Sequence, residues 1–464
     1  MDDSVIHDSA KGGWYIRPSG FLRRSPVMPV VWLAVLIGYI LAGVALAPFH
    51  GDESTQIYMS RDYAYQFIQR DLSQITYSAD PANPTEQHLR LLNGTISKYV
   101  IGLAWHLAGY TLDNINDQWD WGADWDYNQA NGHAPSPDLL LVARWVSALF
   151  LAAGMVVIFA LGDKLGGKPA AYLASLYYVL NPALLLNGRR AMMEGSFMLF
   201  SLLTVLAGVW FIQKPDWKRG VLLGVAGGLA LASKHTALFT VMAIWAGCGV
   251  YALVSSSGDA HRRSRTNAQW LFAGRLLPLL LAGLVAVGVF LALNPAWWDN
   301  PVGRAGNVLA LRADLLQIQV DVFGGYTDLG DKITGFWRQS LIALPQYYEV
   351  TGWDGYIGDQ IAAYETSPWH GVSIGGSAVG AALFLVMIGV GLWALLRLPS
   401  DQRPVYRLTG GWALMMIGST LLLTPLEWQR YYLPVYPALG LLSAVGLATV
   451  GRLISAKLRS HNTR

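Results

Sequence analysis

The chain has 464 residues, 53% of them hydrophobic and 14% charged, with a formal net charge of +3. A soluble domain carries about 25% charged residues, so the deficit excludes an ordinary soluble fold. The small positive charge implies no nucleic-acid partner, and the single cysteine, Cys248, excludes an intrachain disulfide and argues against a thiolate metal site.

Apolar runs of bilayer length predict an all-α polytopic membrane protein with about ten (9–12) transmembrane helices, built as one domain over 1–464. The spans are expected at 29–48, 139–161, 169–187, 191–212, 219–233, 236–255, 274–294, 372–397, 408–425 and 432–453. Residues 1–28 are polar, and the run after them is long enough to stay as an anchor, so no cleavable signal is expected. The fifth span is short and reads as a half-helix meeting its neighbour at Ser233-Lys234-His235.

Basic residues collect on alternate connections, among them Lys11, Arg17, Arg23, Arg24, Lys164, Lys168, Arg262, Arg263, Arg397, Arg403 and Arg464. Because Lys and Arg favour the cytoplasmic side, both termini are expected there. Two long extracytoplasmic loops follow, 49–138 and 295–371, each too short of apolar residues to fold alone and so expected to pack together. The first carries an amphipathic stretch near 54–72 and a semi-apolar one from Ser97 to Tyr110, lying on or partly in the membrane.

The polar clusters all fall on the outer side under this topology. Asp52 and Glu53 sit at the mouth of the first span, where a lipid-borne substrate presents its head group. They also suit helix capping, which is compatible with catalysis. Lys98 enters the semi-apolar stretch, where it suits either a phosphate or snorkelling to head groups. Arg189 and Arg190 oppose the positive-inside trend and suit a lipid phosphate by paired hydrogen bonds. Glu194 is a costly membrane carboxylate, with an i,i+4 ion pair to Arg190 as the plainer role. Lys234 and Arg430 complete the outer cations. Trp121, Trp125 and Asp126, in the run DNINDQWDWGADWDYN, and Trp353 in the second loop suit sugar binding, with interfacial anchoring as the plainer role. The nine histidines show no ligand spacing, so neither a metal nor a cofactor is expected.

The order of these motifs resembles the polyprenyl- or dolichyl-phosphate-sugar-dependent glycosyltransferases of GT-C fold, which include protein O-mannosyltransferases and aminoarabinose lipid A transferases. Asp52-Glu53 and the trailing Ser60-Arg61-Asp62 match the family's first-loop acidic motif. Asn93-Gly94-Thr95-Ile96-Ser97-Lys98 stands where the family shows His-Pro-Pro-Leu-x-Lys, with the lysine kept and the His-Pro-Pro lost. Glu194 opens the fourth span, Lys234 resembles a Ser-x-Lys turn, and Arg430-Tyr431-Tyr432-Leu433-Pro434 resembles Arg-Tyr-x-x-Pro.

The resemblance implies transfer of a sugar from a polyprenyl-phosphate carrier to a hydroxyl of a protein, lipid or glycan, with inversion. Asp52 is then the general base and Glu53 its support. Lys98, Arg189, Arg190, Lys234 and Arg430 are then candidates for the donor phosphate. Glu194, Trp121, Trp125, Asp126 and Trp353 are candidates for substrate. The competing readings are a transporter or flippase of a lipid-linked sugar, which favours midplane sites and internal repeats, and a polysaccharide polymerase or ligase of the same fold.

Overall fold

The computed structural model describes residues 27–260, 265–349, 352–397 and 402–462, with side chains not described at 255–273 and 461–462. Lys11, Arg17, Arg23, Arg24, Arg262, Arg263 and Arg464, used above for orientation, lie outside the described residues. Among the described residues the regular structure is helical, with no strand.

Among the described residues six helical segments are long and apolar enough to cross a membrane: Pro137–Leu180, Glu194–Gln213, His235–Val254, Gly274–Leu293, Ala378–Arg397 and Gln429–Ser460. Each of the ten expected spans overlaps a helix, though the first runs past Ala42 and the eighth begins before Ala378. Val27–Ala42 and Trp217–Ser233, at 16 and 17 residues, are shorter. At 1.5 Å per residue each is about 25 Å long, somewhat less than a typical hydrocarbon core.

Residues 137–180 form two helices rather than one. Gly167 has φ 73°, a conformation that glycine adopts without strain. The rings of Phe159 and Tyr172 meet at 5.4 Å across it, so the chain doubles back at Gly167. Trp217–Ser233 lies against Arg265–Leu293 through a stripe of small residues. A Cβ built on Gly220, Gly224 or Gly228 would fall within 2.6 Å of the carbonyls of Pro278, Ala282 and Ala286. Such stripes let helix backbones approach closely where no hydrophobic effect drives them together. The helix ends at Ser233, Lys234 is extended, and a 3₁₀ turn at His235–Ala237 starts the next helix, so the expected break at Ser233-Lys234-His235 is present.

The two long loops pack on each other over one end of the bundle. The first holds helices Gly51–Met59 and Ile96–Leu107, and the second holds Pro301–Phe323 and Asp354–Thr366. Phe49 N–H donates to Gln360 at 2.9 Å. Arg312 donates to the Leu92 carbonyl at 2.7 Å, and the Arg304 guanidinium lies 3.1 Å from the Tyr77 ring centroid.

Candidate active site

The first helix of the first loop starts at Gly51, and its cap is His50 rather than either acid. His50 Nδ1 accepts the Asp52 N–H at 3.1 Å, and Glu53 reaches back to the His50 N–H at 3.1 Å, closing a reciprocal cap. With Nδ1 occupied as acceptor, the ring proton sits on Nε2 and is donated to Glu349, 2.6 Å away. One imidazole thus joins the first loop to a second-loop acid.

The acid pair divides sharply. Glu53 is fully buried, and its carboxylate accepts two hydrogen bonds from Arg144, at 2.7 and 2.8 Å, and one from the Ala191 N–H at 2.8 Å. Burial works against its charge, but Arg144, Arg190 and the Ala191 N–H outweigh it and hold the carboxyl below its ordinary range. Asp52 keeps 27% of its side chain exposed and pairs with Arg430.

Asp52 opens into a cavity of about 820 Å³ between the loops and the bundle. Glu194, Lys234, Arg312, Glu349 and Arg430 also line it. Lys234 donates to Glu194 at 2.7 Å, while Arg430 bonds Asp52 and lies 3.6 Å from Glu349. Burial opposes ionisation of Glu349, but His50 and Arg430 hold its carboxyl well below the ordinary range. Arg312 pairs with no carboxylate among the described residues. Burial and the like charge of Arg430 together lower its pKa, against smaller favourable contributions from Tyr431 and Asp52.

An aromatic wall also lines the cavity. Trp121 stacks on Trp353 with centroids at 5.9 Å, Trp353 meets Trp125 at 5.4 Å, and Trp125 stacks on Tyr356 at 5.3 Å. All four line the cavity. Gly51 brings this wall to the acid, because a Cβ there would sit 2.9 Å from the Trp121 ring.

Of the residues expected to act, the structure therefore brings Asp52, Glu194, Lys234, Arg430, Trp121, Trp125 and Trp353 to one cavity. The others lie elsewhere. Arg189 is buried with its guanidinium engaged by the carbonyls of Tyr39, Ile40 and Trp369 and the Tyr364 hydroxyl. Arg190 donates to the carbonyls of Pro48 and Tyr347, so it forms no ion pair with Glu194. Arg189 ties the first helix to the second loop, Arg190 ties Pro48 to the same loop, and neither lines the cavity, which corrects their assignment to the donor phosphate. Lys98 is likewise corrected. Its ammonium is buried against Asp62 at 2.5 Å, and Asp62 also accepts from Arg90 at 2.8 Å. Asp126 is exposed and outside the cavity, which Asp124 lines instead. Asn93 lines the cavity, while Gly94 and Thr95 pack on the end of Trp217–Ser233, with the Thr95 N–H donating to the Ala232 carbonyl at 2.7 Å.

Sequence reasoning missed Glu349, Arg312 and His50. The available signal for Arg312 was its place eight residues after Arg304, on one face of a helix. Glu349 carried none beyond nearness to Trp353.

Residues 82–295 match the family model described as dolichyl-phosphate-mannose-protein mannosyltransferase. The Archaeoglobus fulgidus oligosaccharyltransferase in its apo form aligns over 96% of this chain and 53% of its own, with 12% identity and a TM-score of 0.50. ArnT from Cupriavidus metallidurans in the apo state aligns over 91% and 59%, at 17% identity and a TM-score of 0.49. The S. cerevisiae protein O-mannosyltransferase Pmt1-Pmt2 complex bound to the sugar donor aligns over 58% and 34%, at 15% identity and a TM-score of 0.40. The chain thus spans roughly a third to three-fifths of the length of these three structures. No curated protein matches it in sequence. The resemblance to GT-C glycosyltransferases read from the motifs is borne out, with residues 82–295 carrying the mannosyltransferase family's pattern and the helical frame carrying the fold.

Proposed function

We propose that the protein is a membrane glycosyltransferase that moves a sugar from a polyprenyl-phosphate carrier to an acceptor hydroxyl at the extracytoplasmic face. The observation that carries this reading is one cavity holding a partly exposed carboxylate, Asp52, together with a cation, Arg312, that has no carboxylate partner among the described residues. An acceptor to be deprotonated and an anionic leaving group call for those two features together.

Asp52 takes the proton of the acceptor hydroxyl. The acceptor oxygen forms a bond to the anomeric carbon as the bond from that carbon to the carrier phosphate breaks, and the electron pair leaves on the phosphate. One displacement of this kind inverts configuration. Arg312, Arg430 and Lys234 stabilise the charge that develops on the phosphate, as preorganised donors do. Arg430 pairs with Asp52 before the donor arrives, and the phosphate competes for its guanidinium, leaving Asp52 freer to act as a base. Glu53 touches no reactant. It is a positioning residue that fixes the start of the helix on which Asp52 stands.

The test is incubation of the purified protein with a radiolabelled polyprenyl-phosphate sugar and a membrane extract as the acceptor source. Covalent, carrier-independent label is expected. Movement of the lipid-linked sugar across a vesicle membrane without any covalent product would replace this reading with a flippase.

A further inference from the structure

The aromatic wall is built of four rings, Trp121, Trp353, Trp125 and Tyr356. Its four rings are in contiguous contact, and two of them, Trp121 and Tyr356, are 48% and 45% exposed. The wall lies on the Gly51 and His50 side of Asp52, with the His50 ring 6.1 Å from Trp121 and 5.7 Å from Trp353. The cations of the cavity are paired with its other acids, Arg430 with Asp52 and Lys234 with Glu194.

Hydrogen-bonding capacity repeats the pattern. Gln56 and Gln118 line the cavity, and the Oε1 atom of each is buried without a hydrogen-bond partner among the described residues. Gln56 is four residues from Asp52, on the same helix face, and Gln118 is tied to that helix through Thr55 at 2.9 Å. Buried acceptors without donors are costly, so the site suits a ligand rich in hydroxyl donors. Flat aromatic faces suit a ligand with an apolar C–H face. A carbohydrate offers both, whereas a serine or threonine side chain in a peptide offers one hydroxyl and no ring face.

We propose that the wall formed by Trp121, Trp125, Trp353 and Tyr356, with Gln56 and Gln118, binds a carbohydrate acceptor, so that the hydroxyl deprotonated by Asp52 belongs to a sugar. This rests on the transferase reading for the role of Asp52, but the subsite itself is tested by binding alone.

The full chain in lipid nanodiscs is titrated with mannotriose, cellotriose and chitotriose, with farnesyl-phosphate mannose as a donor mimic, and with a Ser/Thr-rich peptide. Tryptophan fluorescence and calorimetry give the affinities. At least one trisaccharide is expected to bind saturably, about tenfold more weakly in Trp121→Ala and in Tyr356→Ala, the loss of one ring contact. Farnesyl-phosphate mannose is expected to bind within about twofold of the parent in both variants, which also shows that they are folded. Absence of trisaccharide binding overturns the proposal. So does loss of farnesyl-phosphate mannose binding in variants that keep the parent's unfolding midpoint, which makes the wall a donor-sugar site, or Trp121-dependent binding of the peptide. Trisaccharide binding without any transfer in the radiolabel assay leaves the subsite standing and removes the transferase reading.

Discussion

Two clusters in the first loop contain the same chemistry and differ in what is left over. Around Asp62, both carboxylate oxygens are engaged, one by Arg90 and one by Lys98, and all three side chains are buried. Around Asp52, the acid is partly exposed, its cation Arg430 is shared with Glu349, and Arg312 nearby has no carboxylate of its own. The first cluster is closed and holds the loop. The second has spare charge and opens into the cavity. Lys98 and Arg430 look equivalent as outer-face cations in the sequence, and only the closure of their surroundings separates them.

That contrast is broken or sharpened most strongly by removing an acid from a closed site. Glu53→Ala leaves the Arg144 guanidinium buried and unpaired, and Asp62→Ala does the same to the Lys98 ammonium, while Arg90 keeps Glu86. Each is expected to lower folding stability by about 3–5 kcal/mol, measured by unfolding in detergent. Normal stability in either variant would show that these sites are not closed in solution. Next in size, Arg312→Gln and Arg430→Gln are expected to reduce transfer by roughly 10²-fold, the loss of one preorganised donor to a developing anion. Lys98→Gln is expected to act on stability instead, and a Lys98 variant that folds normally but transfers poorly would reverse the comparison.

A smaller effect concerns pH. Glu53 and Glu349 both have carboxyls held below their ordinary range in the folded protein. Their stabilisation is therefore complete above the unfolded value of about 4.3 and declines as pH falls from there toward the folded values. Glu349→Gln should flatten part of that decline, and a profile unchanged by this substitution would mean that Glu349 is not ionised in the fold. The smallest effect is expected for Asp126→Asn. The residue is exposed and outside the cavity, so both transfer and stability should stay within about 0.5 kcal/mol of the parent. A clear loss of transfer would extend the site beyond the described cavity.

Much of this was legible in the sequence because the membrane simplifies it. Apolar runs placed the helices, and the order of motifs placed Asp52, Lys234 and Arg430 together. Side-chain closure was not legible. Nothing local distinguishes Arg189, bound to carbonyls of the first helix 149 and 150 residues away, from a cation that faces a ligand. His50 and Glu349 are 299 residues apart and meet only when the two loops pack. The hairpin at Gly167 was expected as a connection at 162–168, and its sharpness comes from one glycine conformation. Arg312 was hidden because its helix lies in a loop whose partner surface is another loop.

The most direct test of the central claim is the rate of sugar transfer by Asp52→Asn, measured beside its affinity for farnesyl-phosphate mannose. Loss of a positioned base predicts a fall of about 10²–10⁴-fold in transfer, with donor affinity kept or raised, because Arg430 is released from its partner acid. Transfer within about threefold of the parent, well below the smallest effect of losing a general base, would contradict the account and move the base to another acid of the cavity.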